Sequence, residues 1–92
     1  MAMLMIQDAS TETLAIYDEI IKQLEAAGHG HPAGRLSHTA VLKGAGYLVA
    51  DVWESQEALD RFFQILGPMM QRAGGTLTRP EFYPVHNMIQ DR

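Results

Sequence analysis

The run Asp51-Val52-Trp53-Glu54-Ser55 sets an acid, an indole and a helix-capping residue together at the end of an extended segment. Asp51 and Trp53 are two residues apart, so a strand presents both side chains on one face. A carboxylate beside an indole in a partly closed pocket can act as a proton acceptor. The plainer reading makes Trp53 an anchor of the sheet and pairs Asp51 with a nearby cation or backbone N–H. Two histidines stand on segments expected to be strands: His38 in Leu36-Ser37-His38-Thr39-Ala40-Val41, and His86 in Tyr83-Pro84-Val85-His86-Asn87. Facing an enclosed pocket, either imidazole is a candidate general base or hydrogen-bond donor; inside a core or interface, it is merely satisfied by its neighbours. Tyr17, Tyr83 and Asn87 lie beside these groups as packing or ligand-contact residues, with Trp53 expected to stack on a substrate ring.

Other patterns carry less. His29-Gly30-His31 has the look of a metal fragment, but zinc needs three or four converging ligands. The chain has no cysteine, and no further histidine lies close in sequence. No metal and no cofactor are therefore expected. The absence of cysteine also excludes disulfides and a thiol nucleophile. Gly-x-Gly occurrences lack the strand-to-helix setting of a nucleotide loop. The six methionines suit a core or a pocket tolerant of varied apolar ligands.

The elements that must hold these residues can be read from periodicity. Residues 2–7 form an apolar run of strand length. Ser10 or Thr11 is placed to cap a helix in which Leu14, Tyr17, Ile21 and Leu24 recur at helical spacing, with Ile20 beside them. Gly28-His29-Gly30-His31-Pro32 ends it. Two extended segments follow, 35–43 and 47–54, joined by Gly44-Ala45-Gly46 in a tight hairpin. Ser55 caps a second helix with Leu59, Phe62, Phe63 and Leu66 on one face, which Gly67-Pro68 should end or kink. A last strand is expected over 79–89, at an edge or bulged because of Pro80 and Pro84.

The order βαββαβ predicts an α+β, ferredoxin-like sandwich: a four-stranded antiparallel sheet with both helices on one face, one domain over residues 1–92. Its open face is hard to leave in water. The first strand is apolar on both sides, and the 47–54 strand carries Leu48, Ala50 and Val52 opposite Tyr47, Val49, Asp51 and Trp53. An open face should alternate with polar residues. A homodimer packed sheet against sheet would cover it and enclose a pocket for a small hydrophobic or aromatic ligand.

Charge and composition remove other classes. Hydrophobic residues are 47% of the chain and charged residues 20%, a globular balance. The formal net charge is −4 and the seven Lys and Arg are scattered, so no stripe exists to neutralise phosphates and nucleic acid is not an expected partner. No apolar run approaches membrane-spanning length. The apolar start Met1-Ala2-Met3-Leu4-Met5-Ile6 lacks a basic leader and a cleavage site, so it is read as a strand and the expected location is the cytoplasm.

With these residues in view, the chain resembles the dimeric α/β-barrel superfamily, and within it the domains related to antibiotic biosynthesis monooxygenases. The resemblance covers nearly the whole length. It rests on Asp51-Val52-Trp53-Glu54-Ser55-Gln56-Glu57-Ala58-Leu59-Asp60-Arg61-Phe62 and on Phe82-Tyr83-Pro84-Val85-His86-Asn87. That group includes cofactor-free oxygenases of aromatic polyketides, heme-degrading enzymes, isomerases and decarboxylases. The heme-degrading branch uses a histidine on its second helix and an asparagine on its first strand; here Gln7 is the nearest match to the asparagine and the second helix has no histidine. The resemblance thus implies a homodimer with an apolar pocket, acting without metal or cofactor as a monooxygenase or isomerase, or binding a ligand without turnover. In the catalytic version His38 or His86 takes a proton and Asp51 orients the histidine or a water.

Overall fold

The computed structural model describes residues 1–76 and 78–91. Its elements are β1 (Met3–Ala9), α1 (Leu14–Ala26), β2 (Arg35–Lys43), β3 (Gly46–Trp53), α2 (Gln56–Arg72) and β4 (Glu81–Pro84). The strands form one antiparallel sheet in the order β2-β3-β1-β4. With βαββαβ connectivity, this α+β arrangement is compatible with a ferredoxin-like fold. No helix among the described residues is long and apolar enough to cross a membrane.

Both helices press on one face of the sheet. Ile20 and Leu24 of α1 join Leu59, Phe62 and Leu66 of α2 in one buried cluster with Met5 of β1 and Trp53 of β3. The Trp53 and Phe62 rings lie 5.3 Å apart, and Trp53 is completely buried. Removing an indole of that size from water contributes on the order of 3 kcal/mol, which makes it a principal anchor between α2 and the sheet.

Local chemistry explains the element ends. Ser55 Oγ accepts the Ala58 N–H at 3.1 Å, capping α2 as expected. The cap of α1 falls later than expected, at Thr13. Asp8 Oδ1 accepts the Ser10 N–H, and Ala9 O accepts the Glu12 N–H, so a turn occupies the segment where Ser10 and Thr11 were placed to cap. Helix α2 runs on through Gly67-Pro68 to Arg72. Pro68 frees only the carbonyl four residues back, at Gln64. Both residues are exposed, so water can serve that carbonyl while Met69 and Met70 bury the opposite side.

The β2–β3 hairpin closes on the pair Lys43–Gly46, with Gly44 at φ +58° in a two-residue turn. Strand β4 is shorter than expected. Its ladder with β1 runs from Ile6–Glu81 to Met3–Pro84, and Val85 adds one bond by donating to Ala2 O. Beyond Pro84, which has no N–H, the chain leaves the edge and returns toward β2, where Gln90 Nε2 donates to Leu36 O. His86 and Asn87 therefore stand in a surface segment and not on a strand.

Candidate active site

Antiparallel pairing puts directly opposed residues on the same side of a sheet. The pairs Met5–Asp51, Gln7–Val49 and His38–Asp51 thus share the helix-covered side with Tyr47 and Trp53. The pocket expected between two sheets is not where these groups point. Asp51, Trp53 and His38 face inward, toward α1 and α2, and the side chains on the open face are Leu4, Ile6, Leu48, Ala50 and Val52.

A continuous hydrogen-bonded chain runs through this inner side. Trp53 Nε1 donates to Asp51 Oδ2 at 3.3 Å, and His38 Nδ1 lies 2.6 Å from Asp51 Oδ1. On the far edge of the ring, His38 Nε2 is 2.7 Å from Tyr17 Oη, brought from α1. A carboxylate only accepts, so Nδ1 carries the imidazole proton and Nε2 presents a lone pair to the phenol O–H. The Asp51 side chain is 3% exposed and that of His38 is 22% exposed, so the chain starts in the core and ends at a lip. Tyr17 is fixed further by an edge-to-face contact with Tyr47, ring centroids 5.0 Å apart.

The chain borders a cavity of about 60 Å³ between the sheet and the helices. Its deep end is apolar, with Met5, Leu24, Phe62 and Leu66; Tyr17, Arg35 and His38 stand at its partly exposed side. Burial, and secondarily the charge of Asp51, raises the pKa of Tyr17 above the ordinary phenol value, while Arg35 opposes that shift. Tyr17 thus keeps its proton at neutral pH and points it at His38 Nε2 as a hydrogen-bond donor. A ligand proton can enter this chain through the Tyr17 hydroxyl only as the phenol's own proton moves to His38 Nε2, which would leave an imidazolium beside Asp51.

The expected site residues divide into two groups. Tyr17, His38, Asp51 and Trp53 come together. Trp53, however, does not line the cavity; its ring is fully buried against Phe62 and its N–H holds Asp51, so it does not stack on a ligand there. Tyr83, His86 and Asn87 lie across the sheet, lining an open groove of about 400 Å³ with Leu4 and Val52. Tyr83 Oη donates to Glu81 there, which raises the exposed phenol's pKa. The sheet therefore separates His86 from His38.

Gln7 and Arg35 are among the cavity residues that the sequence reading did not single out as site residues. Gln7 is buried and donates to Thr78 O at 2.6 Å, tying the segment before β4 to β1. Arg35 reaches the cavity because of a bulge: Arg35 pairs with Trp53 and His38 with Asp51, so three steps along β2 match two along β3. Gly34, at φ +89° and with Ala58 Cβ 2.5 Å from where a side chain would begin, was the available signal that the chain is constrained here. No family model and no curated protein matches this sequence.

Proposed function

We propose that this protein is a small-molecule-binding member of the dimeric α/β-barrel superfamily, related to the antibiotic biosynthesis monooxygenases. Its helix-covered cavity performs proton transfer without a cofactor. The observation that carries this reading is the Tyr17–His38–Asp51 chain ending at an apolar cavity, with Trp53 holding the acid from behind. His38 is the proton acceptor, Tyr17 the group that meets the ligand, and Asp51 the positioning residue. Isomerisation and cofactor-free oxygenation both begin with this step: removal of a proton from a substrate that forms a stabilised carbanion. In the first, the proton returns elsewhere; in the second, the carbanion passes electrons to dioxygen.

Volume limits the ligand. A benzene-sized ring fills a cavity of about 150 Å³, against about 60 Å³ here. A small hydrophobic molecule, or the reactive end of a larger aromatic one, suits the site as it stands. The homodimer belongs to the same proposal. A second copy covering Leu4, Ile6, Leu48, Ala50 and Val52 would remove an apolar surface from water and roof the groove at His86.

The test is a screen of enolisable ketones and phenols in D2O, read by deuterium uptake at the acidic carbon. Uptake in the wild type that falls about a hundredfold or more in His38→Asn and Tyr17→Phe supports the reading. A second reading, a ligand-binding or regulatory module, has one observation in its favour: among the described residues no buried side-chain nitrogen or oxygen lacks a partner. Binding without uptake in any compound would select it, and no binding at all would remove both.

A further inference from the structure

Arg35 stands out among the polar groups of the cavity. The residue is half-buried, and among the described residues its guanidinium makes one hydrogen bond, from Nη2 to Gly30 O at 3.0 Å. A guanidinium has five N–H donors in a planar fork. The ion pairs among the described residues are His38–Asp51 and Lys43–Asp8, so no described carboxylate lies within 4.0 Å of Arg35. Asp51 is the acid of this cavity, and both its oxygens are engaged, one by His38 and one by Trp53. Among the described residues, a partly desolvated cation thus faces the cavity with no anion in salt-bridge reach, an arrangement that costs free energy unless an anion is bound.

The backbone is built to make that placement. Without the bulge, residues three apart on β2 would lie on opposite faces, and Arg35 would point to the open side when His38 points inward. The irregularity between Arg35 and Ser37 puts both on the helix-covered side. Gly34 supports it from the other end: its carbonyl accepts the Glu54 N–H at 2.8 Å, and its positive φ and closeness to Ala58 suit glycine alone. The Gly30 carbonyl then holds one arm of the guanidinium and leaves the rest of the fork for a ligand.

We propose that Arg35 is the anion anchor of this cavity, and that the ligand of the Tyr17–His38 pair is a small carboxylate held by the guanidinium with its remaining atoms toward Tyr17. This rests on the proton-transfer site proposed above and adds the substrate class. A cavity of about 60 Å³ suits a short 2-oxo acid whose carboxylate sits at Arg35 and whose carbon end lies toward Tyr17. Arginine binds carboxylate in a bidentate, charge-assisted manner, so a neutral amide of the same shape loses both the charge and one acceptor.

The experiment compares pyruvate with pyruvamide, molecules of equal heavy-atom count that differ in charge, using the His38 ring signals in NMR titrations. The wild type binds pyruvate at least about tenfold more tightly than pyruvamide. Arg35→Met erases that preference, Arg35→Lys keeps part of it, and Tyr17→Phe keeps it while losing deuterium uptake at the pyruvate methyl group. Equal binding of the two compounds by the wild type, no saturable shift from either, or an undiminished preference in Arg35→Met overturns the anchor. A preserved preference for pyruvate without deuterium uptake in the wild type leaves the anchor standing and removes the proton-transfer reading.

Discussion

The two faces of the sheet use similar side chains for different ends. On the helix-covered face, Met5, Tyr47 and Trp53 are each 3% exposed or less, and the acid among them, Asp51, has both oxygens bonded. On the other face Leu4, Ile6, Leu48, Ala50 and Val52 remain partly accessible, and Tyr83 is 48% exposed. The first face fixes polar groups in one geometry at a small cavity. The second offers an apolar surface and a wide, shallow groove with loosely held polar groups. Proton transfer needs reacting atoms positioned before the ligand arrives, and association needs apolar area. In the proposed reading, proton transfer uses the inner face and association the outer one.

Substitutions can break this contrast, beginning with the largest effect. Trp53→Ala removes the buried indole and one of the two hydrogen bonds to Asp51; urea denaturation should show a loss of about 3–5 kcal/mol. A loss near zero would mean that the inner face is not the rigid one. Asp51→Ala leaves the His38 Nδ1–H and Trp53 Nε1–H without an acceptor and should cost about 1–3 kcal/mol, together with loss of deuterium uptake.

On the outer face, Val52→Glu should leave the fold intact and shift the sedimenting species from dimer to monomer. An unchanged mass, or a monomeric wild type, would contradict docking through this face. The smallest effect concerns the sheet's margin, where Lys43 and Ser10 lower the pKa of Asp8 below the ordinary carboxylate value. A lowered native pKa means stability that is in place above the unfolded value, about 3.9, and is lost as pH falls below it. Asp8→Asn should therefore flatten the acid limb of a stability–pH curve below about pH 4 by lowering neutral stability to the same extent, and both changes should be small, since Asp8 is exposed.

Much of the fold could be read from the chain, because helical spacing in 14–24 and 59–66 and the glycines of the hairpin act locally. Alternation in β3 also separated Leu48, Ala50 and Val52 from Tyr47, Val49, Asp51 and Trp53. What it could not do was say which set meets the helices. Both sets are apolar enough to be buried, so periodicity carries no vote between them. That ambiguity left open which of His38 and His86 shares a face with Asp51, and the structure puts His38 there. The end of β4 was misjudged for a similar reason: Val85 is a good strand former, but after its bond to Ala2 O the chain leaves β1 and turns toward β2. Arg35 escaped notice because a bulge is an event of pairing, decided jointly by β2 and β3, and strict alternation assigns it to the opposite face from His38.

The central claim is that ligands meet the inner face. Its most direct test is one NMR titration that follows the imidazole signals of His38 and His86 together as a small enolisable ligand found in the screen is added. Saturable shifts at His38, with His86 unmoved, are the predicted result. Shifts at His86 with His38 unmoved would contradict the account and put the site in the groove on the open face.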